Sequence, residues 1–143
     1  MIDIESKVFD TVFNAVKAQN AYPNADVTTG FDERTATFPC VVVEETDNIP
    51  YRRTATDECV ENHSRISYEI SVYTDNKNVA KTTGKAILSI VDDAMAGLKF
   101  RRVRKSKPLN TARTIFRQYA RYEVIVAKPI TVGNNTVYQM YRR

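Results

Sequence analysis

The amino-acid sequence predicts an α+β fold: two α-helices packed on one face of a mainly antiparallel β-sheet, with a C-terminal β-hairpin. Three observations predict it. Two stretches, about 4–16 and 76–96, carry apolar residues at helical spacing. A third, about 63–73, alternates apolar and polar residues as a strand does. The order runs helix, strand, long polar segment, strand, helix, strands, and this segregation suits an α+β layer rather than a βαβ repeat.

The first helix rests on Ile4, Val8, Phe9, Val12, Phe13 and Val16, which make one apolar stripe. Asp3 is placed to cap it, and Pro23 stops the chain from continuing as helix. A strand is expected from Phe38 to Glu45. Its unbroken centre, Cys40-Val41-Val42-Val43, predicts burial on both faces. The polar stretch from about 46 to 62 has little periodicity and is expected to be a functional loop or an extended hairpin arm. In the strand at 63–73, Ile66, Tyr68, Ile70 and Val72 alternate with Arg65, Ser67, Glu69 and Ser71, which predicts one buried and one wet face.

The second helix is expected over roughly 76–96, with Val79, Thr83, Ile87, Ile90, Val91, Ala94 and Met95 on one face. Asp75 or Asn76 suits its start, and Gly97 stands where a left-handed terminal residue is wanted. Gly84, inside it, predicts close packing at that point. A strand or ribbon follows over 99–107, stopped by Pro108, and then a long strand over 114–128. On that strand Phe116, Ala120, Tyr122, Val124 and Val126 share one face, and Arg113, Arg117 and Arg121 share the other with Ile115, Tyr119 and Ile125. Gly133-Asn134-Asn135 between β-formers predicts a hairpin within about 129–143.

The chain has 143 residues, which suits a single domain, 1–143, with one core. Its 43% hydrophobic and 27% charged residues argue against a disordered protein. No apolar run is long enough to span a bilayer, and the N-terminus lacks a signal-peptide pattern, so cytosolic synthesis without a membrane partner is expected. Cys40 reads as a small buried residue and Cys59 as a loop residue, with a disulfide between them disfavoured in a reducing compartment. With one histidine, His63, and no CxxC, neither a metal nor another cofactor is expected. Adjacent helical residues point about 100° apart, so Asp92 and Asp93 do not converge on a cation. Thr83-Gly84-Lys85 lacks the earlier glycine and the following Ser or Thr of a phosphate loop. No catalytic constellation emerges, and an enzyme is not expected.

Charge is sorted along the chain. Residues 1–98 hold 16 acidic and 9 basic residues, a balance of −7, whereas residues 99–143 hold 1 and 12, a balance of +11. The overall +4 conceals this division. The basic third predicts contact with phosphates or with an acidic protein surface, through Arg101, Arg102, Arg104, Arg113, Arg117 and Arg121. These residues fall on expected strands, so a DNA recognition helix is not predicted. In the long polar segment Asp47, Tyr51, Arg52, Arg53, Asp57 and Glu58 are candidate partner-docking residues.

The arrangement resembles the tail terminator (tail completion, or tail-to-head joining) proteins of long-tailed bacteriophages. The resemblance is carried by the amphipathic start Ile4–Val16, Phe38-Pro39-Cys40-Val41-Val42-Val43, Ser67-Tyr68-Glu69-Ile70-Ser71-Val72-Tyr73, the helix end Ile90-Val91-Asp92-Asp93-Ala94-Met95, and Phe116–Val124. It covers roughly 1–128 and is a pattern of elements, with no invariant signature. It implies a homo-oligomeric ring, a hexamer, that caps the tail tube and stops its polymerisation. The ring offers a docking surface to head or neck proteins, and DNA passes through it. It implies a virion protein made in the host cytoplasm, partnered by itself, the tail-tube protein and a head-completion or neck protein. The arginine column is then expected at the subunit interface or in the bore. A head-completion or neck connector is the neighbouring alternative, and a basic nucleic-acid-binding module is the alternative from another class.

Overall fold

The computed structural model describes residues 1–18, 22, 24–31, 37–50, 63–112, 114–128, 130–132, 135–137 and 140–141. Helix α1 spans Glu5–Phe13 and continues through a wider helical stretch, Asn14–Ala18. Strands β1 (Asp26–Thr28), β2 (Cys40–Pro50) and β3 (His63–Thr74) follow. A helical turn, Lys77–Val79, and a second wide stretch, Ala80–Gly84, lead into α2 (Lys85–Gly97). Strands β4 (Arg101–Lys105), β5 (Leu109–Ala112) and β6 (Ile115–Ala127) complete the body. The hairpin β7 (Ile130–Val132) and β8 (Asn135–Val137) and the short β9 (Met140–Tyr141) end it.

The α+β architecture is therefore as the sequence predicts. The main sheet has the order β1-β2-β3-β6-β4. β1 lies parallel to β2, and the other pairs are antiparallel. β3 occupies one edge of β6 along its whole length, from His63↔Ala127 to Thr74↔Phe116. The strands β9, β4 and β5 must therefore line up end to end along the other edge. At the break between β4 and β5, Ser106 keeps the ladder closed. Its N–H donates to the Tyr119 carbonyl at 2.8 Å, and its Oγ accepts from the Tyr119 N–H at 2.9 Å.

One contiguous core lies between the helices and the sheet. α1 contributes Val8 and Val12, and α2 contributes Ile87, Leu88, Val91 and Met95. The sheet contributes Ile66, Tyr68, Ile70 and Val72 from β3, with Ala120, Tyr122, Val124 and Val126 from β6. The α2 stripe is rotated slightly from the expected one: Leu88 is buried, whereas Ile90 and Ala94 are only half-buried. Asn76 caps the second helical segment, accepting from the Asn78 N–H at 2.8 Å, whereas the cap position of α1 falls on Ile4 and Asp3, one residue before it, accepts from the Glu5 N–H at 3.0 Å. In each helical segment a threonine hydroxyl donates back one turn, Thr11 to the Lys7 carbonyl at 2.7 Å and Thr82 to the Asn78 carbonyl at 3.0 Å. Such back-bonding competes with the helical ladder and accompanies the widening in both.

Five points of the sequence reading are changed, settled or extended. First, Gly97 remains helical, and Lys99 takes the left-handed position at φ 71°. The Lys99 N–H reaches the Ala96 carbonyl and the Phe100 N–H the Met95 carbonyl, each at 3.0 Å. That is a Schellman cap, with Phe100 and Met95 buried together in the core. Second, of the two readings of the polar segment, the extended hairpin arm is the one its described residues show. β2 runs on to Pro50, paired with β3 as far as Ser64, with a bulge between Glu45 and Asp47. Third, the ribbon expected over 99–107 narrows to β4, and β5 is an additional strand. Fourth, the three-residue β1, too short to show a period, is a strand the sequence reading does not contain. Fifth, the face of β3 read as wet is covered: Ser67, Glu69 and Ser71 are all buried. Arg117 and Arg121 reach across it, and Phe31 stacks on Tyr73 with centroids 3.8 Å apart and planes 4° from parallel.

Other expectations hold. Cys40–Val43 is buried throughout, and Cys40 is a free thiol, pushed up to about 11 by burial and by the charge of Asp26. Cys59 lies outside the described residues. Gly84 is buried against Thr74 and Gln118, and an added Cβ would meet them at ordinary contact distances of 3.6 and 3.8 Å. β7 and β8 pair from Ile130↔Val137 to Val132↔Asn135, as a hairpin.

The α2 terminus yields a test. Lys99→Gly removes a left-handed penalty and should stabilise the protein by about 1 kcal/mol. Gly97→Ala, whose Cβ meets nothing within 4 Å, should add about 0.5–1 kcal/mol. Urea unfolding midpoints check both, and the gains should be close to additive only if the cap survives.

Candidate functional site

The outer face of β3 and β6 is where the predicted arginines converge. In the ladder Glu69 stands opposite Arg121. Successive outward residues of β6, Arg117, Tyr119 and Arg121, share that face because a strand alternates. Arg121 Nε donates to Glu69 Oε2 at 2.9 Å. Arg117 donates from a terminal guanidinium nitrogen to Glu69 Oε1, and from Nε to Ser71 Oγ at 3.2 Å. One carboxylate, only 8% exposed, thus holds two guanidinium groups. Its hydrogen bond and charge raise the Arg121 pKa still further. The guanidinium carbons of Arg117, Arg121 and Arg104 lie 4.5, 5.6 and 5.9 Å from the Tyr119 ring centre, a cationic roof over a buried ring.

The expected arginine column is therefore closed on its own chain rather than open. Arg117 and Arg121 share a face as predicted, but Glu69 neutralises part of their charge. Arg113 lies outside the described residues. On the helix side of β4, Arg102 pairs with Asp92 at 3.2 Å, and Asp92 also accepts from the Tyr122 hydroxyl at 3.1 Å. Burial, then the Asp92 charge and hydrogen bond, push the Tyr122 pKa up. Arg101 stands opposite Glu123 in the ladder. Sequence spacing cannot reveal Glu69 or Asp92 as counter-ions, because each meets its arginine only through long-range packing. The sole sequence signal was Glu69's place on the polar face of β3.

β4 is exposed throughout and forms a free edge of the sheet among the described residues. It is short, charged and bulged at Val103, which is 52% exposed. These three features discourage unwanted strand pairing. The opposite side carries acid. Beyond Val42 no described strand covers the outer edge of β2, and Glu44, Glu45 and Asp47 are exposed there. Asp47 was expected in a docking loop and instead sits in a strand, sharing an open cavity of about 340 Å³ with Arg121 and Glu123. The other docking candidates, Tyr51, Arg52, Arg53, Asp57 and Glu58, lie outside the described residues.

Asn48, in the same stretch, has a structural role. Its Nδ2 donates to the Ile2 carbonyl at 2.8 Å, and its Oδ1 accepts from Ser64 Oγ at 2.7 Å. Beside it the Glu45 carboxyl is pushed up by burial and by the charges of Asp3 and Glu5.

Four lysines, Lys81, Lys85, Lys105 and Lys107, line one groove, and among the described residues none has an ion pair. The charge sorting by sequence drew attention away from Lys81 and Lys85, which belong to the acidic part of the chain. Among the described residues no three His, Cys, Asp or Glu side chains cluster to hold a metal, and no helix is long and apolar enough to cross a membrane.

Two tests follow from these contacts. Glu69→Gln should cost about 2 kcal/mol, because charged hydrogen bonds to two arginines weaken together. A double-mutant cycle with Arg117→Gln should show coupling between the two positions. Glu45→Gln should raise stability at pH 7. A carboxyl with a raised folded-state pKa favours folding while protonated and loses that contribution as pH rises through the folded value. The advantage of Gln should therefore shrink on acidification and vanish below about pH 4, the ordinary glutamate range. Melting midpoints of both forms across pH check it.

No protein-family model matches the chain, and no curated protein matches it.

Proposed function

We propose that this chain is a ring-forming joining protein of a phage tail, of the tail-terminator kind. In this reading it assembles as a hexamer on the last ring of tail-tube protein, stops tube growth and receives the head or neck proteins. It acts in the virion, at the junction of tail and neck, after synthesis in the host cytoplasm. DNA passes through its bore.

The observation that carries the reading is the opposition of the two sheet edges that no described strand covers. One edge exposes Arg101, Arg102, Arg104 and Lys105 on β4, and the other exposes Glu44, Glu45 and Asp47 on β2. A ring contact is heterologous: each copy offers two different surfaces that fit each other. Opposite charge on separate edges supplies that fit and its register. The element order and the long β2–β3 hairpin agree with the sequence pattern that resembles the family. The arginines best placed for the joint are Arg101 and Arg104, because Arg117 and Arg121 are engaged by Glu69.

Light scattering after size exclusion should give a mass about six times the 16.3 kDa chain, with rings visible in negative stain. Arg101→Glu with Arg104→Glu should abolish rings, and mixing that variant with a Glu45→Lys, Asp47→Lys copy should restore assembly. Added to polymerising tail-tube protein, the wild type should shorten the tubes. A wild type that stays monomeric at tens of micromolar overturns the reading. Rings that leave tube length unchanged move the assignment to a head-completion or neck connector.

A further inference from the structure

We infer that the lysine groove is a binding site for the phosphodiester backbone of duplex nucleic acid, contacted without reading bases. The groove opens on the helix side of the sheet, between the start of α2 and the break that separates β4 from β5. It is lined by Lys81 and Lys85 from the helical segment, Lys105, Ser106, Lys107 and Pro108 from the break, and Gln118 from β6, and encloses about 440 Å³.

Four features fix the ligand class. The lining contains four cations and no acid, and among the described residues these lysines make no ion pair or hydrogen bond within the chain. Their charge is thus uncompensated, unlike that of Arg102, Arg117 and Arg121. Asp92, which lines the adjoining cavity together with Lys85 and Lys105, pairs with Arg102 rather than with either lysine. Second, the groove has polar groups to spare. Ser106 Oγ spends its acceptor role on the Tyr119 N–H, which leaves its own hydrogen to donate. The Gln118 carboxamide is 5% exposed, and its oxygen is buried with no hydrogen-bond partner. Amide oxygen and nitrogen are interchangeable by a flip, so the site can turn a donor toward an anion.

Third, the volume is far more than one oxyanion needs, given that a water takes about 30 Å³, so the groove suits a chain of anions. Fourth, no aromatic side chain lines it. Single-stranded ligands are held by stacking bases on aromatic rings, and a stiff duplex presenting phosphates needs none. Lysine heads on flexible stems suit such sequence-independent contacts. The inference does not rest on ring formation, since all the lining residues come from one chain.

The test is fluorescence anisotropy with two labelled DNA duplexes of unrelated sequence, titrated with the full-length protein from 50 to 200 mM salt. Both duplexes should bind with equal affinity. The slope of log K against log salt should be about −3.6, from four phosphates at about −0.9 each. Lys85→Gln with Lys105→Gln should halve that slope and weaken binding about a hundredfold at 50 mM salt, roughly tenfold per lysine by the same relation. All four lysines are exposed, so the variant's melting midpoint should match the wild type. Lys81→Gln with Lys107→Gln is a second pair from the same groove should the first not fold.

Unchanged DNA affinity in a folded lysine variant overturns the inference, whatever the oligomeric state. Strong preference between the two duplexes also overturns it, since the groove then reads bases. So does displacement of DNA by micromolar pyrophosphate, which would mark a small-anion site. Polyglutamate competing as well as DNA at equal charge would assign the groove to an acidic protein segment instead.

Discussion

The burial of Glu69 governs how the sheet is finished. β3 is the central strand, covered by helices on one face, and its other face is buried as well. A carboxylate in that position is tolerated only when it is paired and hydrogen-bonded. Arg117 and Arg121 supply both requirements from the adjacent strand, and in doing so lie down over β3 and shield Tyr119. The strand pairing of β3 with β6, the covering of the outer face and the orientation of the arginines are one arrangement. Displacing the carboxylate would release two cations and open the middle of the sheet to water.

That arrangement redirects the functional interpretation of a basic chain segment. Arginines near one another in sequence are spent inside the fold, on Glu69 and on Asp92. The cations left for partners sit on the β4 edge and around the break at 106–108. The break exists because Pro108 cannot continue a hydrogen-bonded strand, and Ser106 repairs the ladder across it. The gap between β4 and β5 thereby becomes a concave place facing the helical segment, where residues far apart in sequence meet. As proposed, assembly uses the strand edges and anion contact the groove, and Lys105 borders both.

Much of the fold was legible because it rests on local periods. The alternation of Phe116, Ala120 and Tyr122 against Arg117, Tyr119 and Arg121 set both faces of β6 correctly. The stripe of Val8, Val12 and Val16, and that of Ile87, Val91 and Met95, marked the helices. Register-dependent features were hidden. Nothing in the spacing of Glu69 shows that it meets residues 48 and 52 positions later. Lys99 replaced Gly97 as the left-handed residue because burying Phe100 against Met95 sets the cap two residues later than the glycine suggests. Lys81 and Lys85 carry no sequence signal of a shared site, and only the fold places them in one groove with Lys105 and Lys107.

Asn48 ties the root of the β2–β3 hairpin to the first residues of the chain through Ile2 and to β3 through Ser64. Hydrogen bonds that share one carboxamide are made and broken together. The hairpin root and the entry to α1 therefore belong to the same cooperative unit, although the chain between them is long. Separating β2 from β3 at Pro50 and Ser64 therefore also pulls, through this amide, on Ile2, whose side chain is buried in the core.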